Sequence, residues 1–177
     1  VEHGSCFAGV LAELLWAVDR SYMMEDKFEG DNRPIATITL SNDNFGTYPM
    51  GNGLSRLETR FLDEAERIDA LKSHIGEPME ADDADENGLV TIILDDIDWE
   101  DEIRIFLEER ASFSPDAMTG MEANLRFAGP ETMETRIFGR LTAWQNWIFN
   151  RPNAVGEDGA LQRYGTGLRG NYNMERV

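Results

Sequence analysis

The sequence predicts an α/β fold, with strands in its first half and helices in its second. Two segments rich in β-branched residues, 35–40 (IATITL) and 88–94 (GLVTIIL), read as strands. Beyond Trp99 apolar residues recur at helical spacing, and Met133, Ile137, Leu141, Trp144 and Ile148 fall at i, i+4, i+8, i+11 and i+15. With 177 residues, 41 % of them hydrophobic, the chain is long enough for a domain-sized core.

Taken in order, residues 4–19 (GSCFAGVLAELLWAVD) place a glycine-containing turn before an apolar helical pattern that carries one acid, Glu13. Residues 19–23 (DRSYM) read as a short strand leaving that helix, and the polar stretch 25–34, with Gly30 and Pro34, as a loop. After the strand at 35–40, turn formers fill 45–53, and Leu54, Leu57, Phe61 and Leu62 then share one helical face. The strand at 88–94 is expected to be buried because its apolar residues run together. Trp99, Ile103, Phe106 and Leu107 line the next helix, and Ser114-Pro115-Asp116 starts another, with proline at its first position. The 133–148 helix ends before Arg151-Pro152, and the glycine-bearing tail from 153 to 177 reads as irregular.

Charge narrows the function classes. The net charge is −18, from 34 acids against 16 bases, with no Lys/Arg stripe to displace counterions from a phosphate backbone. Nucleic acid is therefore excluded as a partner, and an anionic membrane surface is disfavoured. No apolar run reaches transmembrane length. Cys6 is the one cysteine, so no intrachain disulfide forms, and with two histidines a Cys/His metal site is not expected. A reducing, cytoplasmic setting follows as the expectation. The opening VEHGS has neither an initiating methionine nor a basic signal flank, which suggests a piece of a longer polypeptide.

Several constellations carry two readings. The turn before Glu13 exposes backbone N–H groups able to hold an oxyanion, with an acid one turn later. Equally, it is a buried helix after a tight turn, with Glu13 on the solvent edge. In DADENG (83–88), Asp83, Asp85, Asn87 and Gly88 match calcium-loop positions, yet Leu94 stands where the bidentate carboxylate belongs. DDIDWEDE (95–102) is read as an acidic helix start. Trp144, Trp147 and Phe149 suit either stacking on a planar ligand or a core or subunit contact. His3 and His74 lack nucleophile partners at a recognised spacing, and Cys6 is expected to be a small buried residue.

Three stretches resemble the enoyl-CoA hydratase/isomerase (crotonase) superfamily: 8–19 (AGVLAELLWAVD), 40–57 through Gly46, Pro49, Gly53, Arg56 and Leu57, and 76–91 through Ala81, Ala84 and Gly88. Residues 123–161, with YGTG at 164–167, are similar to the C-terminus of ring-opening lyases of aerobic benzoyl-CoA breakdown, longer polypeptides with a crotonase-like unit upstream. The resemblance implies a partial crotonase-like spiral of β/α units followed by a helical C-terminal extension. Residues 1–97 would then be the C-terminal part of a degenerate crotonase-like unit, 98–150 the helical region and 151–177 the tail.

The implied reaction opens the ring of an oxidised benzoyl-CoA and releases formate and a semialdehyde CoA thioester. CoA is part of the substrate, and no other cofactor and no metal is implied. Gly9 and Val10 match the oxyanion-holding backbone and Glu13 the first catalytic acid. Val10 and Leu11 replace two family glycines, and Asn42 stands at the second acid. The resemblance thus places the working active site upstream. This chain would supply structure, subunit contacts in a homodimer or higher homo-oligomer, and part of an acyl-CoA pocket, with Trp144 and Phe149 as candidate substrate contacts. The competing expectations are an enoyl-CoA hydratase or isomerase using Glu13, and a non-catalytic dimerisation module built on the 133–148 helix.

Overall fold

The structure, a computed structural model, describes residues 1–126 and 129–175. Phe127 and Ala128, inside the stretch that resembles the lyase C-terminus, lie outside the described residues. The chain divides into two compact units, Val1–Ile103 and Arg104–Val177.

The first unit carries five short strands: β1 (Phe7–Ala8), β2 (Tyr22–Met24), β3 (Ile38–Thr39), β4 (Pro78–Met79) and β5 (Ile92–Leu94). Strand β3 pairs parallel with β1 and antiparallel with β4, while β2 pairs parallel with β5. Parallel pairs need long crossovers, and between β2 and β5 the chain holds three α-helices. These are α1 (Arg56–Arg60), α2 (Ala65–Leu71) and α3 (Ala81–Glu86). Ser55 and Glu58 start α1 with a reciprocal capping box, and Leu57 and Phe61 enter the core from it. In α3, Ala81 and Ala84 face the core, leaving Asp83 and Asp85 exposed on a helix rather than in a loop. Around them Ile38, Leu40, Leu71, Met79, Leu89 and Val90 complete a continuous apolar cluster.

Both main strands are shorter than their sequences suggest, because side chains claim the backbone groups a ladder would use. Of residues 35–40, two form β3; the Ala36 N–H donates to His3 Nδ1 at 2.9 Å. His3 is buried, and its Nε2 donates to the Asp26 carbonyl at 2.7 Å, so the imidazole staples the 26–36 loop in one tautomer. Of residues 88–94, only β5 is extended, and it is half-buried rather than buried. The carbonyls before it are taken: Arg60 donates to Gly88 at 2.5 Å and Val90 at 2.9 Å, and Trp16 Nε1 donates to Leu89 at 3.1 Å.

Helix α4 (Trp99–Ala111) comes next in the chain, with Trp99 buried and Leu107 exposed. The second unit continues with α5 (Pro115–Leu125), capped by Ser114, then α6 (Met133–Arg136) and α7 (Thr142–Ile148). The expected continuous 133–148 helix is interrupted by a π-helical segment, Ile137–Leu141. That wider turn shifts the register, so the predicted apolar stripe breaks up. Met133, Ile137 and Leu141 face solvent, whereas Trp144 and Ile148 are half-buried. The expected irregular tail holds two further helical turns, α8 (Pro152–Val155) and α9 (Ala160–Arg163). Its anchor is polar: Arg151 pairs with the buried Asp116 at 3.4 Å, and the Asn153 N–H donates to the same carboxylate at 3.3 Å. Asn153 also exchanges two hydrogen bonds with Asn173. Among the described residues, no helix is long and apolar enough to cross a membrane.

Two expected outcomes follow from the first unit. Replacing Arg60 by Leu leaves the Gly88 and Val90 carbonyls without donors and lowers unfolding free energy by about 2–3 kcal/mol, read from a denaturant midpoint. Asp31 accepts from the Arg33 guanidinium, which holds its carboxyl down at about 2. The stability it contributes is present above its ordinary value of 3.8 and is lost as pH falls through about 2. An NMR titration of the Asp31 carboxyl checks this by its midpoint.

Candidate functional site

Strand β1 runs straight into a six-residue 3-10 helix, Gly9–Leu14, rather than the longer helix its apolar residues suggest. Gly9 opens it at φ +51°, a left-handed conformation that favours glycine. A Cβ there would also sit 3.3 Å from Ser41 Oγ. The tighter winding turns the segment over. Val10, Leu11 and Leu14 face solvent, while Ala12 and Glu13 point inward. The expectation of Glu13 on the solvent edge is thus reversed: the acid is 6 % exposed.

Glu13 is buried because it is paired. Its Oε1 accepts from Asn44 Nδ2 at 2.7 Å, and its Oε2 pairs with Arg56 Nη1 at 3.1 Å. Arg56 is the first residue of α1, and Asn44 lies in a one-turn 3-10 helix, Asn42–Phe45, that follows β3. Asn44 is itself 1 % exposed. Its Nδ2 also donates to the Gly9 carbonyl at 2.9 Å, and its Oδ1 accepts the Ser41 N–H at 2.9 Å. The carboxamide is therefore fixed in orientation by a donor on one side and two acceptors on the other. Three segments distant in sequence meet at one buried polar node.

Gly9, Val10 and Glu13 lie in the same short 3-10 helix. Asn42, which the resemblance sets at the second acid position, is exposed; Asn44, two residues on, is the one that reaches Glu13. The Ser41-x-x-Asn44 capping spacing was the available signal for it. Trp144 and Phe149 belong to the second unit. There Trp144 meets Trp147 edge-on at 5.2 Å between ring centroids, and Arg151 lies over Trp147 at 4.7 Å. Phe149 is half exposed. Cys6 is exposed rather than buried, and His74 pairs with Glu77 at the surface.

Chemically, the node holds Glu13 through both oxygens, one on Asn44 and one on Arg56. The Val10 N–H, by contrast, lies in the first turn, where no partner exists within the helix.

No protein-family model matches this chain. It is 56 % identical over 177 residues to the benzoyl-CoA-dihydrodiol lyase of Aromatoleum evansii, covering all of this chain and 31 % of that protein. The chain therefore spans about a third of the relative's length. An enoyl-CoA hydratase structure from Geobacillus kaustophilus HTA426 superimposes with a TM-score of 0.64 at 18 % identity, covering 94 % of this chain and 57 % of that one. A second structure, an enoyl-CoA hydratase/isomerase family member, gives 0.60 at 16 % identity, with 94 % and 56 % coverage. The chain has a crotonase-like α/β fold, in part.

Removing one partner of the buried pair leaves a charge uncompensated. Arg56→Leu is expected to destabilise the protein by about 3 kcal/mol. Adding Glu13→Gln to that variant restores part of the loss, so a double-mutant cycle by chemical denaturation shows strong coupling; simple additivity would contradict the pairing.

Proposed function

We propose that this chain is the C-terminal portion of a CoA-thioester lyase that hydrolytically opens the ring of an oxidised benzoyl-CoA, releasing formate and a semialdehyde CoA thioester. The 56 % identity across every residue of the chain carries this reading. The crotonase-like fold supports a thioester substrate, because the turn at the end of β1 presents a backbone N–H suited to a carbonyl oxygen that gains negative charge. CoA enters as part of the substrate, and we assign no further cofactor.

Within that reaction the chain lends framework and part of the acyl-CoA pocket through Gly9 and Val10, and the proton-moving groups come from the rest of the polypeptide. Glu13 is committed to Asn44 and Arg56, and Asn42 carries an amide where a second acid would stand. Both facts weigh against a hydratase or isomerase working through Glu13. Exposed Met133, Phe138 and Leu141 suit contacts between copies in a homo-oligomer, and an exposed free Cys6 suits a reducing cytoplasm.

The natural polypeptide supplied with dihydrodiol-benzoyl-CoA is expected to release formate in step with substrate loss, measured with a formate-oxidising coupling enzyme. Turnover without formate would sink the reading. Glu13→Gln is expected to lower kcat by less than about tenfold, whereas loss of a working general acid costs about 10²–10⁴-fold.

A further inference from the structure

We propose that His3 is a pH-operated clasp on the 26–36 loop: a proton on its Nδ1 breaks the hold on Ala36 and frees that end of the loop, while the hold on Asp26 stays. The imidazole joins the two ends of one loop. Its Nε2 donates to the Asp26 carbonyl at 2.7 Å, and its Nδ1 accepts the Ala36 N–H at 2.9 Å.

Both partners are backbone groups with a single role. The carbonyl can only accept and the N–H can only donate, so the bonded imidazole is neutral with its proton on Nε2. An imidazolium carries a proton on each nitrogen, which sets two donors face to face at Ala36. That contact has to open, and because His3 is 1 % exposed, solvent is not at hand to replace the lost partner. The other end is unaffected, since Nε2 keeps both its proton and its carbonyl. Between its ends the loop is braced within itself: Arg33 donates to Asp31 through its backbone N–H and its guanidinium, and Lys27 Nζ reaches the Arg33 carbonyl at 2.7 Å. The Gly4 N–H also holds the Pro34 carbonyl at 2.9 Å. Acid therefore loosens the segment that leads into β3 and leaves the body of the loop in place.

Other charged groups stand on both segments, Glu2 beside His3 and Asp26, Lys27, Asp31 and Arg33 on the loop. Asp31 is within electrostatic reach of the imidazole, but Arg33 takes both of its oxygens. The Val1 amine is turned to the Tyr22 carbonyl, and burial pushes its pKa down. The test must therefore separate the imidazole from these groups.

Amide hydrogen exchange of the natural polypeptide, read by mass spectrometry from about pH 8 to about pH 5, covers the range in which histidine ordinarily changes charge. With rates corrected for the intrinsic effect of pH, peptides holding Ala36 are expected to exchange about tenfold faster on the acid side, the worth of one hydrogen bond. Peptides holding Met23 and Met24 keep their protection. In His3→Phe, which keeps a ring and removes both bonds, exchange at Ala36 is fast throughout and shows no step. A step that survives in His3→Phe belongs to a carboxylate or to the Val1 amine and overturns the proposal, as does a wild-type chain with no step at Ala36.

If His3→Phe does not fold, wild type still decides. Exchange of the His3 Cε1–H slows as the imidazole takes up its second proton, so its pH dependence gives the midpoint of His3 itself. That midpoint is expected to coincide with the step at Ala36. Two separate midpoints contradict the clasp.

Discussion

The first unit is organised around a buried carboxylate that has two partners from two other segments. Taking Glu13 out of water is expensive, and the structure tolerates it because Asn44 and Arg56 supply a hydrogen bond and an opposite charge within 3.1 Å. The consequence is mutual dependence. The turn after β1, the turn after β3 and the start of α1 reach their places together, because each brings a group that the other two need. Removing any one strips a buried group of one of its partners, which penalises partial or slipped arrangements more than an apolar contact would. The same node gives the turn its direction, since Asn44 holds the Gly9 carbonyl while it holds Glu13.

A related economy runs through the rest of the unit. Arg60, Trp16 and His3 bind backbone groups flanking the strands, so short strands are held as much by side chains as by ladders. The second unit uses a polar anchor too, with Asp116 joining Arg151 to Asn153 and Asn153 tying in the tail at Asn173. Its α6 and the π-helical segment after it show most of their apolar residues to solvent.

Local chemistry made much of this legible in the sequence. The Ser114-Pro115 start of α5 is set by its cap and its proline, and it stands where those signals put it. What was not legible depends on contacts between distant residues. Apolar periodicity at 9–16 suggested a helix with its leucines inside. The observed segment buries Glu13 and exposes Val10, Leu11 and Leu14, because Asn44 and Arg56 wait inside. Likewise nothing local says that Arg60 will take two carbonyls before β5, or that a π turn will shift the 133–148 register. The resemblance identified Gly9, Val10 and Glu13 as one constellation, while Asn44 emerged only from the folded geometry.

We propose that Glu13 supports the turn and does not move protons. A crystal structure of the natural polypeptide with an unreactive acyl-CoA bound tests it most directly. Glu13 is expected unmoved, with Oε1 on Asn44, Oε2 on Arg56 and no carboxylate oxygen within hydrogen-bonding reach of the acyl group. Glu13 swung away from Arg56 and pointing at the acyl chain would contradict it.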